Sequence, residues 1–179
     1  MRAVVVYESV YGNTRAVAEA IAEGLGTAEV LPVHEAGDHV DGADLLLVGG
    51  PTHMHGLSTS RSRQMGAESV KEDGGAQVEP GATEEPGLRA WLRDLRAGDG
   101  RWAAAFDTRF DRSPWLTGVA SRGIAKRLRH LGYSVVDSES FLVEDSEGPL
   151  AKGELDRARE WGEKLASELT VTAEQGATR

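Results

Sequence analysis

Two short stretches of this chain hold residues whose types and spacing suit ligand chemistry. The first is Glu8-Ser9-Val10-Tyr11-Gly12-Asn13-Thr14, which runs from an apolar stretch directly into a helical period. Its hydroxyls, its glycine and the free backbone amides of a helix start can surround an anion. The partial positive charge of the helix N-terminus adds about 0.3–1 kcal/mol when exposed and about 2 when partly buried. An anion site of this kind needs no lysine. The same residues also suit a plain polar turn in which Asn13 or Thr14 caps the helix. The second stretch is Gly49-Gly50-Pro51-Thr52-His53-Met54-His55-Gly56, with two imidazoles and a thioether. His53 and His55 are spaced as metal ligands can be. No third ligand lies close by in sequence and the chain has no cysteine, so no metal is expected.

Rival phosphate loops fail on inspection. A nucleoside-triphosphate loop ends in Gly-Lys-Ser/Thr, and no lysine precedes Lys71. A dinucleotide fingerprint needs three spaced glycines between strand and helix. Gly24 and Gly26 lie after the helix, and Glu29 stands in the third position. A receiver-type phosphorylation domain wants an aspartate closing the third strand, where Gly49-Gly50-Pro51 stands instead.

The elements that must position these stretches alternate along the chain. Arg2 to Tyr7 is a continuous β-branched run, the signature of a strand buried on both faces. Thr14 to Leu25 is a helix with Val17, Ile21 and Leu25 on one stripe, and Ala28 to Val33 a short strand near an edge, because of Pro32. Asp44 to Gly49, Trp102 to Phe106 and Ser134 to Val143 supply three further strands. Leu88 to Leu95, Ala120 to Leu131 and Lys152 to Leu169 read as helices. Between Val33 and Ala43 there is room only for a short helix or none. This alternation predicts an α/β fold: a doubly wound, five-stranded parallel sheet with helices on both faces. Ligands of such sheets bind beyond the carboxyl ends of the strands, where strand order reverses, and both stretches fall there.

At these residues the chain resembles the flavodoxins. Their phosphate loop is a Ser/Thr-rich turn ending Gly-Asn-Thr, and Ser9-Val10-Tyr11-Gly12-Asn13-Thr14 is similar to it. Their third strand ends in Gly-x-Pro-Thr followed by a ring-contacting residue, as in Gly49-Gly50-Pro51-Thr52-His53. A third loop edges the flavin after the fourth strand, matched by position in Phe106-Asp107-Thr108-Arg109-Phe110. The resemblance implies strand order 2-1-3-4-5 and non-covalent flavin mononucleotide (FMN). It implies a cofactor set of Ser9, Val10, Tyr11, Gly12, Asn13, Thr14, Pro51, Thr52, His53, Met54, His55, Gly56, Asp107, Thr108, Arg109 and Phe110. It names no catalytic residue. The second loop departs from many flavodoxins, which place a large aromatic there. Here His53-Met54-His55-Gly56 offers imidazoles and a thioether instead, and the aromatic of the third loop is expected to be Phe110, or less well Trp115. The other tryptophans, Trp91, Trp102 and Trp161, read as packing residues.

The 179 residues suffice for one domain, expected over residues 1–170 with a frayed tail from 171 to 179. Residues 58–87 break the rhythm, with Met65, Val70 and Val78 as the only large apolar side chains. So little apolar surface cannot offset the entropy of ordering the segment, which predicts a mobile insertion with one or two helical turns around Ser60 to Val70. Asp and Glu number 29 against 20 Lys and Arg, and a net charge of -9 disfavours nucleic acid as a partner. Arg122, Lys126, Arg127 and Arg129 form the solvated face of a helix, with partner docking as the alternative. No apolar run is long enough for a membrane span or a signal peptide, and the expected place is the cytoplasm.

Three functions fit: an electron-transfer carrier between a reductase and an acceptor protein, an FMN-dependent quinone or porphyrinogen oxidoreductase, and a non-redox binding module. The acidic balance favours the first. The histidine-containing loop and the neighbouring insertion favour the second, and the two loops together count against the third.

Overall fold

Strands β1 (Ala3–Tyr7), β2 (Ala28–Pro32), β3 (Leu45–Pro51), β4 (Trp102–Phe110) and β5 (Ser134–Val143) form one sheet in the order β2-β1-β3-β4-β5. Every neighbouring pair is parallel. This is the doubly wound topology expected from the sequence. The computed structural model describes residues 1–52, 56–73, 77–111, 118–145 and 147–177, without the side chains of 69–73 and 172–177. The helices are α1 (Asn13–Leu25), α2 (Ser60–Asp73), α3 (Leu88–Asp94), α4 (Ala120–His130) and α5 (Glu154–Ala177), with a four-residue 3-10 turn at Gly37–Val40.

Period-two alternation sends successive side chains of the apolar strands to opposite faces, which explains why both faces are oily. Val4, Val6, Leu46, Val48, Ala103 and Ala105 pack with Leu88, Trp91 and Leu92 of α3 and Ile124 and Leu128 of α4. Val5, Leu45, Leu47, Ala104 and Phe106 pack with Val17 and Ile21 of α1 and Ala158, Trp161 and Leu165 of α5. On that second face α1 and α5 meet backbone to backbone. A Cβ added at Gly24 would lie 2.0 Å from the Arg159 carbonyl oxygen, and one at Gly162 would lie 2.3 Å from that of Ile21. These glycines are there for close approach.

Several boundaries differ from the sequence reading. Strand β4 runs through Phe110, so Asp107 to Phe110 are strand residues and not a loop. The reason is pairing on both sides: Asp107 and Thr108 pair with Gly50 and Pro51, while Asp107 to Phe110 pair with Ser140 to Val143. Helix α5 continues to Ala177, eight residues beyond the expected stop at Leu169, because nothing from Thr170 to Gln175 breaks a helix. Helix α2 spans 14 residues, more than the one or two turns expected. Trp115 lies outside the described residues.

Candidate functional site

The carboxyl ends of β1, β3 and β4 border a cleft of about 450 Å³. Ser9, Val10, Tyr11, Asn13 and Thr14 line it from the β1–α1 loop, Pro51 and Thr52 from β3, and Thr108, Arg109 and Phe110 from β4. Ten of the sixteen residues expected at a ligand thus share one cavity, and its volume is in the usual range for a small-molecule site.

The start of α1 bears on both readings of the first stretch, the anion site and the plain cap. Neither Asn13 nor Thr14 caps the helix. The N-cap is Gly12, at φ 85°, and no side chain caps the helix. That left-handed backbone is one a glycine adopts without strain. The first bond of the helical ladder is donated by the Ala16 amide to the Gly12 carbonyl at 2.9 Å. The amides of Asn13, Thr14 and Arg15 precede it and have no intrahelical acceptor. The side chains around them are engaged elsewhere. Ser9 Oγ accepts from the Gly12 amide at 3.1 Å, holding the turn, and the Thr14 hydroxyl meets that of Thr108 at 2.8 Å. Asn13 Nδ2 donates to the Glu147 carbonyl at 3.0 Å, and the Tyr11 hydroxyl to that of Gly66 at 3.1 Å. Arg15, the cation that follows the loop, is held by Glu19 at 2.9 Å and Glu79 at 3.2 Å. An anion here would meet main-chain amides and a helix dipole, and Arg15 is already paired with two carboxylates.

A second helix N-terminus lies along the same sheet edge, and the protein fills it itself. Thr52 Oγ1 accepts from the Ala120 amide at 3.0 Å, and Asp107 Oδ2 accepts from the Ser121 amide at 2.9 Å. The Thr52 hydroxyl donates to that same carboxylate oxygen at 3.0 Å. Asp107 is fully buried and does not line the cleft. Of the two ends, α4 carries its own carboxylate and α1 is open. Gly12 and Gly56 also stay out of the cleft wall, Gly12 shaping the turn behind it. His53, Met54 and His55 lie outside the described residues.

Sequence reasoning missed four lining residues: Ser62, Met65 and Gly66 of α2, and Val143 at the end of β5. Ser62, Met65 and Gly66 are spaced three and four apart, one face of a helix. Apolar content gives no sign of them, because large apolar side chains are few in residues 58–87 and the buried Arg63 and Ser58 that help seat the segment are polar. Glu8, 4% exposed at the end of β1, accepts from the Ser58 hydroxyl, from Arg63 Nη1 at 3.3 Å and from the Leu88 amide at 2.8 Å. A glutamate closing an apolar strand was the available signal, since a carboxylate in that position needs donors from elsewhere in the chain.

Among the described residues no group of three or more His, Asp or Glu side chains is arranged to hold a metal ion. Among them, too, no helix is long and apolar enough to cross a membrane.

Residues 4–62 match the family model described as a flavodoxin domain. A flavodoxin from the domain Archaea is 21% identical, with 95% of this chain and 99% of that one covered and a TM-score of 0.59. A variant flavodoxin from Pseudomonas aeruginosa is 18% identical, covering 95% and 99%, with a TM-score of 0.62. The two-electron reduced flavodoxin of Megasphaera elsdenii is 18% identical over 90% and 98%, with a TM-score of 0.52. No curated protein sequence matches the chain. The chain is therefore flavodoxin-like: in fold over 90–95% of its length, and in sequence over residues 4–62.

Proposed function

We propose that the chain binds FMN non-covalently in this cleft and acts as an electron carrier between a reductase and an acceptor protein. The observation that carries the reading is the N-terminus of α1, without a side-chain cap, where Asn13 and Thr14 line a cleft large enough for a ring system. The residues present fit the group. A doubly charged phosphate suits amides left out of the helical ladder at the positive end of a dipole. Val10, Met65, Phe110 and Val143 give the cleft apolar surface for a ring. In this assignment Ser9 and Gly12 shape the turn, Asn13 and Thr14 present amides, and Thr52 and Asp107 hold the neighbouring α4 in place. Pro51, Thr108, Arg109 and Phe110 border the ring side, with the His53–Gly56 stretch following Thr52 in sequence. Bound FMN supplies the capacity to take up and give back electrons. The matched Megasphaera elsdenii protein, solved in its two-electron reduced form, supports that capacity in this fold.

The second reading is an FMN-dependent oxidoreductase acting on a quinone or porphyrinogen. What favours it is α2, which adds a wall to the cleft and could shape a substrate site. One experiment separates the two. Purified protein mixed with FMN and passed through a desalting column keeps the flavin's visible absorption, and stopped flow then follows the loss of that band. The carrier reading predicts slow reduction by NADH or NADPH alone and fast reduction by a flavodoxin reductase protein. Fast reduction by NADPH alone, with turnover of a quinone, would establish the enzyme instead.

A further inference from the structure

Helix α2 presents two working faces, and the buried one explains the position of the other. Arg63 is 2% exposed and bridges Glu8, at 3.3 Å, to Glu85, at 2.6 Å. Glu85 also accepts from the Ser60 hydroxyl at 2.7 Å and from the Gly87 amide at 2.8 Å. The guanidinium leaves no space for a side chain at residue 87, where an added Cβ would lie 1.9 Å from Arg63 Nη1. This polar knot ties the end of β1, the first turn of α2 and the start of α3 into one unit. One turn on from Arg63, Ala67 is buried on the same side. The adjacent face, Ser62, Met65 and Gly66, is thereby turned to the cleft.

The other attachments lead to the same loop. The Tyr11 hydroxyl holds the Gly66 carbonyl, the Glu79 amide donates to the Val10 carbonyl at 2.9 Å, and Glu79 pairs with Arg15. Met65 stands out on this wall. It is a large apolar side chain, 60% exposed, on the face that lines the cleft. A flexible, polarisable thioether in that position is suited to pack against an aromatic ring.

We propose that α2 is a fourth wall of the FMN cleft, beyond the three strand ends, with Met65 as a ring-contacting residue and Arg63 as the positioning residue that seats it. The inference rests on the FMN reading above. Because α2 is anchored to the loop that would hold the phosphate, seating of the helix and occupancy of the cleft favour each other, as linkage requires.

The test is oxidation of the full chain by hydrogen peroxide in the dark, with saturating FMN, with saturating riboflavin and without either, read by peptide mass spectrometry. Met65 should oxidise at least fivefold more slowly with either flavin, since the ring gives the protection. Met1, at the opposite end of β1, should oxidise at one rate throughout. Arg63→Gln should raise the FMN Kd at least tenfold and abolish the protection, and Arg63→Lys should restore part of both. Should Arg63→Gln fail to fold, Met65→Ala leaves the knot intact and should still raise the Kd about threefold or more. An unprotected Met65 in flavin-saturated protein, or unchanged affinity in Met65→Ala, overturns the fourth wall while leaving the FMN reading intact. A wild-type chain that binds no FMN overturns both.

Discussion

At the scale of single residues, side chains that look alike in sequence have been given different work. Thr14 and Asp107 both read in the sequence as lying just past a strand, and both stood as expected cofactor residues. Thr14 lines the cleft at the open end of α1, whereas Asp107 is spent inside the protein on the end of α4. We predict that Thr14→Pro, which removes one of the amides of the first helical turn, weakens FMN binding more than riboflavin binding, because only FMN has a phosphate to lose. Equal weakening, measured by flavin fluorescence titration, would mean the residue acts on something other than the phosphate. Asp107→Ala should behave in the opposite manner. It removes a buried carboxylate that serves one amide and one hydroxyl, a loss of about 2–4 kcal/mol of stability. The FMN Kd of the protein that remains folded should be unchanged. Denaturant melts and titrations of the same variant check both halves. The motif Gly12-Asn13-Thr14 was legible in sequence, and the role of Asp107 was not. A strand-end aspartate looks the same whether it faces a ligand or a helix end, and only the register of β4 with β3 and β5 tells them apart.

Among the elements, the strands and most helices were readable because their signal is periodic apolar burial. The seating of α2 rests on Glu8, Arg63 and Glu85, which lie far apart in sequence and carry no periodicity. Ser60 and the Gly87 amide, with Arg63, hold the Glu85 carboxyl below the ordinary glutamate range, about 4.3. A depressed carboxyl contributes stability above its unfolded value and loses it as pH falls through the folded one. The wild type should therefore melt at a higher Tm than Glu85→Gln at pH 6–7. The gap should narrow below about pH 4.3. A gap that persists unchanged at pH 3 would remove the knot as its cause. Mobility of residues 58–87 remains a proposal for amide exchange to decide. With the knot in place, we expect Arg63 to Ala67 to exchange more slowly than an unstructured chain. Between α1 and α5, Gly24→Ala sets a gain in helix propensity of about 1 kcal/mol against a 2.0 Å clash with a carbonyl oxygen. Overpacking against backbone costs about 1–3 kcal/mol or more, so the variant should be less stable, measurably in Tm.

For the whole molecule, the sheet order places the open end of α1, the ends of β3 and β4 and the cleft-facing side of α2 around one cavity. The net charge of -9 belongs to this scale as well. If it guides a basic reductase, the rate of reduction by that partner should fall steeply between 0.1 and 1 M salt, as the Debye length shrinks from about 10 to about 3 Å. A flat salt profile would set charge steering aside. The central claim, that the uncapped amides of α1 hold the phosphate of FMN, is tested most directly by titrating the wild-type chain with FMN and with riboflavin under one set of conditions. The two ligands share the ring and differ in the phosphate. Two or more charge-assisted hydrogen bonds at about 1.5 kcal/mol each predict FMN to bind about 100-fold more tightly or better. Equal affinity for the two, or no affinity for either, would contradict the account.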